Sequence, residues 1–266
     1  MRRTKKWNYK KILLFLILFA FVRLTMAQQI YYCEIKGIEK DLSVGLKIVF
    51  DLGGLNPIVF APFKTKKMKK NIDIFIRSIM AGICIGLGGA IFLKIGGIVG
   101  AVMFAFGLLS VVHFKLPLYT GTAGFIKVNI LSEYTNMMVI LVGNILGCFL
   151  LSLLNIKGID GNEVIQGRID AGFLQCLLNA IGCGLIMTLI VQGGRDKNLL
   201  LIIYGIPIFI LLGFYHSIAD AFYMFEVPSS LLKDYLLSYL VIVLGNFIGC
   251  NIPRLLKYKL QDNSNN

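Results

Sequence analysis

The sequence predicts an all-α membrane protein of six transmembrane helices, arranged as an inverted 3+3 repeat in which helices two and five are broken. Three observations carry this reading. Apolar residues make up 57% of the chain and charged ones only 15%, with a mean hydropathy of +0.77; a soluble domain carries about 25% charged residues. From Ile74 onward the apolar segments fall into two sets of three. Each set has an interruption in its middle segment and a Gly-Asn-x-x-Gly motif in its third, Gly143-Asn144-Ile145-Leu146-Gly147 and Gly245-Asn246-Phe247-Ile248-Gly249. A short polar loop at 192–198 joins the sets after an odd number of crossings, so one set runs inverted relative to the other.

The charge pattern supports a membrane rather than a nucleic-acid partner. Lys and Arg number 27 against 14 acids, a formal net charge of +13. The basic residues gather at segment ends: five lysines lie from Lys64 to Lys70, and Arg254, Lys257 and Lys259 follow the last apolar run. With the amino end of the first segment inside, twelve basic residues fall on the inner side and four (Lys94, Lys157, Arg168 and Lys233) on the outer. The excess places both ends of the six-helix unit in the cytoplasm of a cell-membrane protein. The six cysteines, at 33, 84, 148, 176, 183 and 250, have no metal-ligand spacing, and five lie in apolar segments as small packing residues. Neither a metal nor a cofactor is expected.

Residues 1–70 differ from the rest. Six Lys or Arg in the first eleven residues, an apolar run over 12–22 and Arg23 have the layout of a leader. The lysines at 64–70 ask to be cytoplasmic, which a translocated leader would prevent. A further crossing over 42–63 contains Lys47, Asp51, Pro57 and Pro62 and makes a poor helix. A natural start near Met68 is the third reading. The expectation is an extension outside the packed fold, followed by a six-helix unit over 71–256 and a cytoplasmic tail over 257–266.

The first segment, about 73–94, contains Ala81-Gly82-Ile83-Cys84-Ile85-Gly86-Leu87-Gly88-Gly89, a small-residue run that lets helices approach closely in lipid. The second starts at Ile98, breaks over 113–121 and continues to about Leu131. Pro117 and Gly121 at that depth are tolerated only where the backbone is buried in protein or lines a wet cavity. His113 and Lys115 beside the break read as interfacial or loop residues. The third segment spans about 137–154, a polar loop covers 155–170, the fourth spans 171–191, the fifth 199–227 and the sixth 231–254.

The fifth segment breaks at Gly213-Phe214-Tyr215-His216-Ser217-Ile218-Ala219-Asp220, which sets an imidazole near the middle of a crossing. A charge there costs roughly 2.5 to 3.5 kcal/mol on insertion scales unless it faces a cavity or a partner. Its alternative role is a neutral histidine bonded to a neighbouring helix. In an inverted repeat the two breaks meet near the midplane, and their second halves begin with free backbone N–H groups that favour an anion. Thr120 adds a hydroxyl and His216 an N–H or a full charge. The expected cargo is a small anion or its neutral acid. Leu108, Leu118, Phe209 and Phe214 flank these groups as dry constrictions or as ordinary packing. Asp220, one helical turn beyond His216, is placed to hold the imidazole tautomer or favour its charged form; its alternative is an interhelical hydrogen bond.

These residues give the chain from about 71 to 256 a resemblance to the formate/nitrite transporter family. Five ordered motifs carry it: the glycine-rich run from Ala81, Leu118-Tyr119-Thr120-Gly121 against the family's L-F-T-G or L-F-T-S, the pairs Gly143-Asn144 and Gly245-Asn246 against its two Gly-Asn sites, and Gly213 to Ala219 against G-F-E-H-S-I-A. The resemblance implies a homopentamer whose protomers each hold an aquaporin-like pore for formate, nitrite or hydrosulfide, with or without a proton. It implies that Thr120 and His216 are the central polar pair, with Leu108, Leu118 and Phe209 at the constrictions; Tyr119 and Phe214, which stand within the same motifs, are counted with the substrate pathway. The chain departs from the pattern at Tyr215, where the family has Glu, at Asp220, where it has Asn, and at Gly184, where it has Asn. Arg168 stands for a lysine that draws anions to the outer mouth.

The reading is therefore a transporter surrounded by lipid, not an enzyme: only Asp220 offers a second catalytic group near His216. A neutral-solute or hydrosulfide pore and a non-transporting membrane scaffold are the alternatives.

Overall fold

Where two backbones touch decides the packing of this bundle. The computed structural model describes residues 66–126 and 130–256. The leader-like run, the weak segment over 42–63, Lys127 and the tail over 257–266 lie outside the described residues. The first helix, α1 (Lys66–Ile95), crosses α4 (Leu131–Ser152) at Gly82, where a Cβ would overlap the Asn144 carbonyl. The pairing of α5 (Asn162–Arg195) with α8 (Ser229–Leu255) repeats this at Gly184, where a Cβ would overlap the Asn246 carbonyl. Lipid tails are as apolar as leucine, so such close approach is what holds helices together. These two pairs make the most extensive contacts in the molecule.

Between them run two shorter apolar helices, α2 (Gly97–His113) and α6 (Leu200–Leu211), which pack on each other. Each is followed by a non-helical stretch and a short buried helix, α3 (Tyr119–Ala123) after α2 and α7 (Ser217–Phe225) after α6. At about 1.5 Å per residue the 17 residues of α2 and the 12 of α6 fall short of a hydrocarbon core of about 30 Å. The chain is all-helical among the described residues. Four of its helices, over Asn71–Ile95, Leu131–Ser152, Asn162–Arg195 and Ser229–Leu255, are long and apolar enough to cross a membrane.

Several boundaries differ from the sequence reading. The second segment does not continue helically to Leu131: α3 stops at Ala123, and Leu131 opens α4, six residues before the expected start of the third segment at 137. The stretch over 155–170 is not all loop, because α5 starts at Asn162. Its first turns are polar, which hid them from a hydropathy reading. They are set off from the apolar part by Gly172, whose φ of 71° and ψ of 175° kink the helix in a conformation that only glycine adopts without strain. The kink separates the segment carrying Val164, Ile165 and Arg168 from the apolar part of α5. Ile165 is fully buried there.

Candidate functional site

Each break is clamped by one asparagine. Asn144 Oδ1 accepts the Tyr119 N–H at 2.8 Å, and its Nδ2 donates to the carbonyls of Ser78 (2.8 Å) and Pro117 (3.0 Å). Asn246 Oδ1 accepts the Ser217 N–H at 2.8 Å, and its Nδ2 donates to Ala180 (2.9 Å) and Tyr215 (2.8 Å). Both asparagines are fully buried, and each reaches a carbonyl 66 positions earlier in the chain. One side chain thus takes the first N–H of the half-helix and the carbonyl two residues before it. Those are the groups a chain break leaves without partners, and in a membrane they must be satisfied inside the protein. The Gly-Asn motifs are how the sequence supports its own interruptions.

The clamp corrects one expectation. The half-helices do not begin with a full set of free N–H groups: Tyr119 and Ser217 give theirs to asparagines, and Ala219 gives its own to His216 Nδ1 at 3.2 Å. His216 is the N-cap of α7, with an extended backbone (φ −104°, ψ 112°). Because Nδ1 accepts from a backbone N–H, it carries no proton. The neutral ring then bears its proton on Nε2, which lies 2.9 Å from Thr120 Oγ1 and donates to it. His216 is 2% exposed and Thr120 is fully buried. The structure brings together the imidazole and hydroxyl that the sequence singled out, 96 positions apart.

A cavity of about 130 Å³ leads to this ring. Phe92, Phe104, Phe209 and Phe214 form apolar walls, and Arg168 and Asp220 face it together with His216. Phe209 stands edge-on to Phe104 with ring centroids 6.2 Å apart, and 6.0 Å from the His216 ring. The expected constriction residues divide: Phe209 and Phe214 line the cavity, whereas Leu108 and Leu118 are buried and do not. Tyr119 does not line it either; its hydroxyl donates to the Val243 carbonyl at 3.2 Å.

Asp220 does not orient the imidazole. Its carboxylate accepts from Tyr235 OH at 2.9 Å and from Arg168, Nε to Oδ2 at 3.3 Å and Nη2 to Oδ1 at 3.5 Å. Its oxygens are taken by side chains from α5 and α8, and the imidazole tautomer is set instead by the Ala219 N–H. Arg168 accordingly does not offer an unpaired charge at a mouth. It is a partly buried cation in an ion pair, stacked over the Tyr215 ring at 4.0 Å. Three residues at which the sequence departs from its resembled pattern therefore form one cluster. Tyr235, which reaches Asp220 from α8, and Tyr223, which lines the cavity with its ring 6.5 Å from that of Phe92, had no signal in the sequence, since those partners come from other helices. Ser217 Oγ, buried beside His216, has no hydrogen-bond partner among the described residues. Among those residues no group of three His, Cys, Asp or Glu comes together to hold a metal ion.

Comparison with known proteins gives a consistent picture. A family model described as "Formate/nitrite transporter" matches residues 58–258. A curated relative, the "Uncharacterized transporter YrhG" of Bacillus subtilis (strain 168), is 25% identical over 182 residues, covering 60% of this chain and 65% of that protein. The chain thus spans a little under two thirds of that relative's length. Two solved structures share the fold. One described as "Pentameric formate channel with formate bound" superposes with a TM-score of 0.61 at 20% identity over 73% of this chain and 98% of its own. One described as "FNT family ion channel" gives 0.59 at 19% identity over 72% and 91%.

Proposed function

Because the chain belongs to the formate/nitrite transporter family, we propose that it is a membrane channel or transporter for a small monovalent anion of the formate or nitrite type, with a proton involved through His216. The observation that carries the proposal is the cavity ending on a buried imidazole whose Nε2–H is held by the Thr120 hydroxyl, each group at the start of a broken helix. An anion reaching the ring takes over the Nε2–H bond that Thr120 now accepts. Carrying an unpaired charge onward past Leu108 and Leu118 through a low-dielectric passage is far costlier than passing a neutral acid, so the anion moves with a proton. The proton comes from the aqueous phase: as Nε2 gives its proton to the anion, Nδ1 leaves the Ala219 N–H and takes one up from water, so the ring ends neutral in the other tautomer and one proton has passed to the cargo.

We further propose the six-crossing arrangement. Helix α2 with α3, and α6 with α7, each complete one crossing, and residues 71–256 form two sets of three related by inversion. The matched clamps of Asn144 and Asn246 support this, as do the thiols of Cys148 and Cys250, each 3.3 Å from a half-helix carbonyl, Ile218 and Thr120 respectively. Basic residues concentrated on one side support cytoplasmic ends. A homopentamer fits the likeness to a pentameric channel and gives a use to the exposed apolar faces of α2 and α6, which bear Phe106, Ile208 and Leu211. Tyr119, Phe209 and Phe214 would border the path. A pore for a neutral solute or hydrosulfide is the second reading, favoured by the ion pairing of Arg168 with Asp220.

Flux of formate, nitrite and hydrosulfide into proteoliposomes across a pH series tests both readings. Anion uptake that rises as pH falls, and that His216→Ala reduces about a hundredfold or uncouples from protons, is the expected result. Formate flux equally pH-dependent with and without the imidazole overturns the mechanism.

A further inference from the structure

The cavity that leads to His216 contains two formally charged side chains, and they belong to each other. Arg168 and Asp220 sit 52 positions apart, on the pre-kink part of α5 and the first turn of α7, with side-chain exposures of 17% and 1%. Both guanidinium contacts to the carboxylate are made at the cavity wall, and the Tyr235 hydroxyl donates to the same Oδ2 that Arg168 Nε reaches. Tyr215 covers the face of the guanidinium. The remaining walls are mostly aromatic and aliphatic, with His216 at the end. A cavity built around a lone Arg would concentrate anions of every kind, because low-dielectric walls focus the field of an uncompensated charge. Here that field is cancelled within about 3.5 Å by a carboxylate fixed on the same wall.

We propose that Asp220 is the charge filter of this passage. By neutralising Arg168 it leaves the cavity without net charge, so that weak acids able to shed their charge on a proton go through while permanent anions of similar size are turned away. This rests on the reading that the cavity lies on the transport path. The carboxylate is also a competitor: it occupies the guanidinium fork that an incoming anion would use, and a chloride or nitrate ion must displace it to gain a counter-charge. A weak acid arriving with its proton has no need of that fork and is received by the Nε2–H and hydroxyl pair.

The test is selectivity in proteoliposomes and planar bilayers with the full chain, comparing formate uptake with chloride and nitrate conductance. Wild-type protein is expected to take up formate and to conduct chloride poorly. Asp220→Asn keeps the shape and a hydrogen-bonding group for Tyr235 but frees the Arg168 charge; it is expected to raise chloride conductance at least tenfold relative to formate uptake. Arg168→Gln leaves the carboxylate unpaired and is expected to shift the leak the other way, toward potassium. Since either unpaired charge can hinder folding, the double variant Arg168→Gln/Asp220→Asn, which carries neither, is measured beside them and is expected to exclude chloride as the wild type does. A folded Asp220→Asn protein with an unchanged chloride-to-formate ratio overturns the filter, and so does chloride conduction by the uncharged double variant. Wild-type protein that moves none of formate, nitrite and hydrosulfide brings down the transport reading itself, and this is seen before any variant is made.

Discussion

At the first break the half-helix starts on Leu118, whose side chain caps nothing; at the second it starts on His216, whose Nδ1 accepts the Ala219 N–H. The backbones agree: both residues are extended, at φ −115° and −104°, and both are followed by a residue whose N–H goes to a Gly-Asn asparagine. The charged groups that meet the two short helices also differ. Carbonyls of Gly121, Gly124 and Ile126 at the end of α3 accept from Arg195 and Arg254, so cations sit where the helix dipole is negative. Helix α7 instead carries a carboxylate in its first turn, where the dipole is positive, and pairs it with Arg168. The main-chain clamp is common to both breaks, and what differs is the chemistry mounted on it. Architecture rests on what the two breaks share, and the proposed selectivity on what they do not.

Removing the clamp should have the largest effect and should be nearly the same in both halves. Asn144→Ala or Asn246→Ala strands one buried N–H and one carbonyl, that of Pro117 or Tyr215; the carbonyl of Ser78 or Ala180 loses a second bond but keeps its intrahelical one. Three membrane interhelical bonds at an average of about 0.6 kcal/mol, against two buried unsatisfied groups at about 1–3 each, bracket the loss at about 2 to 6 kcal/mol. Thermal unfolding in detergent checks it. A large loss for one asparagine and none for the other breaks the equivalence of the halves.

The next effect is specific to one half. Thr120→Val keeps the shape of the side chain and removes the acceptor of the His216 Nε2–H. Formate flux is expected to fall about tenfold, corresponding to about 1.4 kcal/mol, and the buried Nε2–H left without its acceptor is expected to cost about 1–3 kcal/mol in unfolding. Ile218 occupies the second position of α7 as Thr120 does of α3, and Ile218→Val is expected to change flux less than about twofold at a stability cost of about 0.5–1.5 kcal/mol. Equal flux losses from the two substitutions would show that packing, not the hydroxyl, is what Thr120 supplies.

How much of this the sequence could reveal follows from the same contrast. The two Gly-Asn motifs were legible as a repeat, but their work as clamps was not, since the groups they bond lie on other segments; the meeting of Thr120 with His216 was legible because each interrupts an apolar run. The helix over 162–171 was not, since a polar helix lying against a membrane protein has the hydropathy of a loop. Nor was the partner of Asp220: helical spacing points to His216 one turn back, while Arg168 and Tyr235 arrive from α5 and α8 by tertiary packing that no local pattern encodes. Arg168 and Tyr215 were legible as departures, and only their stacking, 4.0 Å from guanidinium carbon to ring centre, shows that they act together.

The smallest expected effect sharpens the second half alone. Tyr235→Phe removes the hydroxyl that Asp220 accepts at 2.9 Å but leaves the ring, which is fully buried, in place. Asp220 keeps both bonds from Arg168, so the carboxylate is not stranded, and a loss of about 1 kcal/mol is expected in detergent unfolding. If the tyrosine also keeps the carboxylate aligned on the guanidinium, the substitution lets the pair loosen, and chloride leakage rises by a factor of about two to three while formate uptake holds. A stability loss without any leak would assign Tyr235 to packing and leave Arg168 alone to hold Asp220. No first-half substitution should reproduce that leak, because the position matching Asp220 on α3 is Thr122, whose hydroxyl only donates to the Leu118 carbonyl of its own turn.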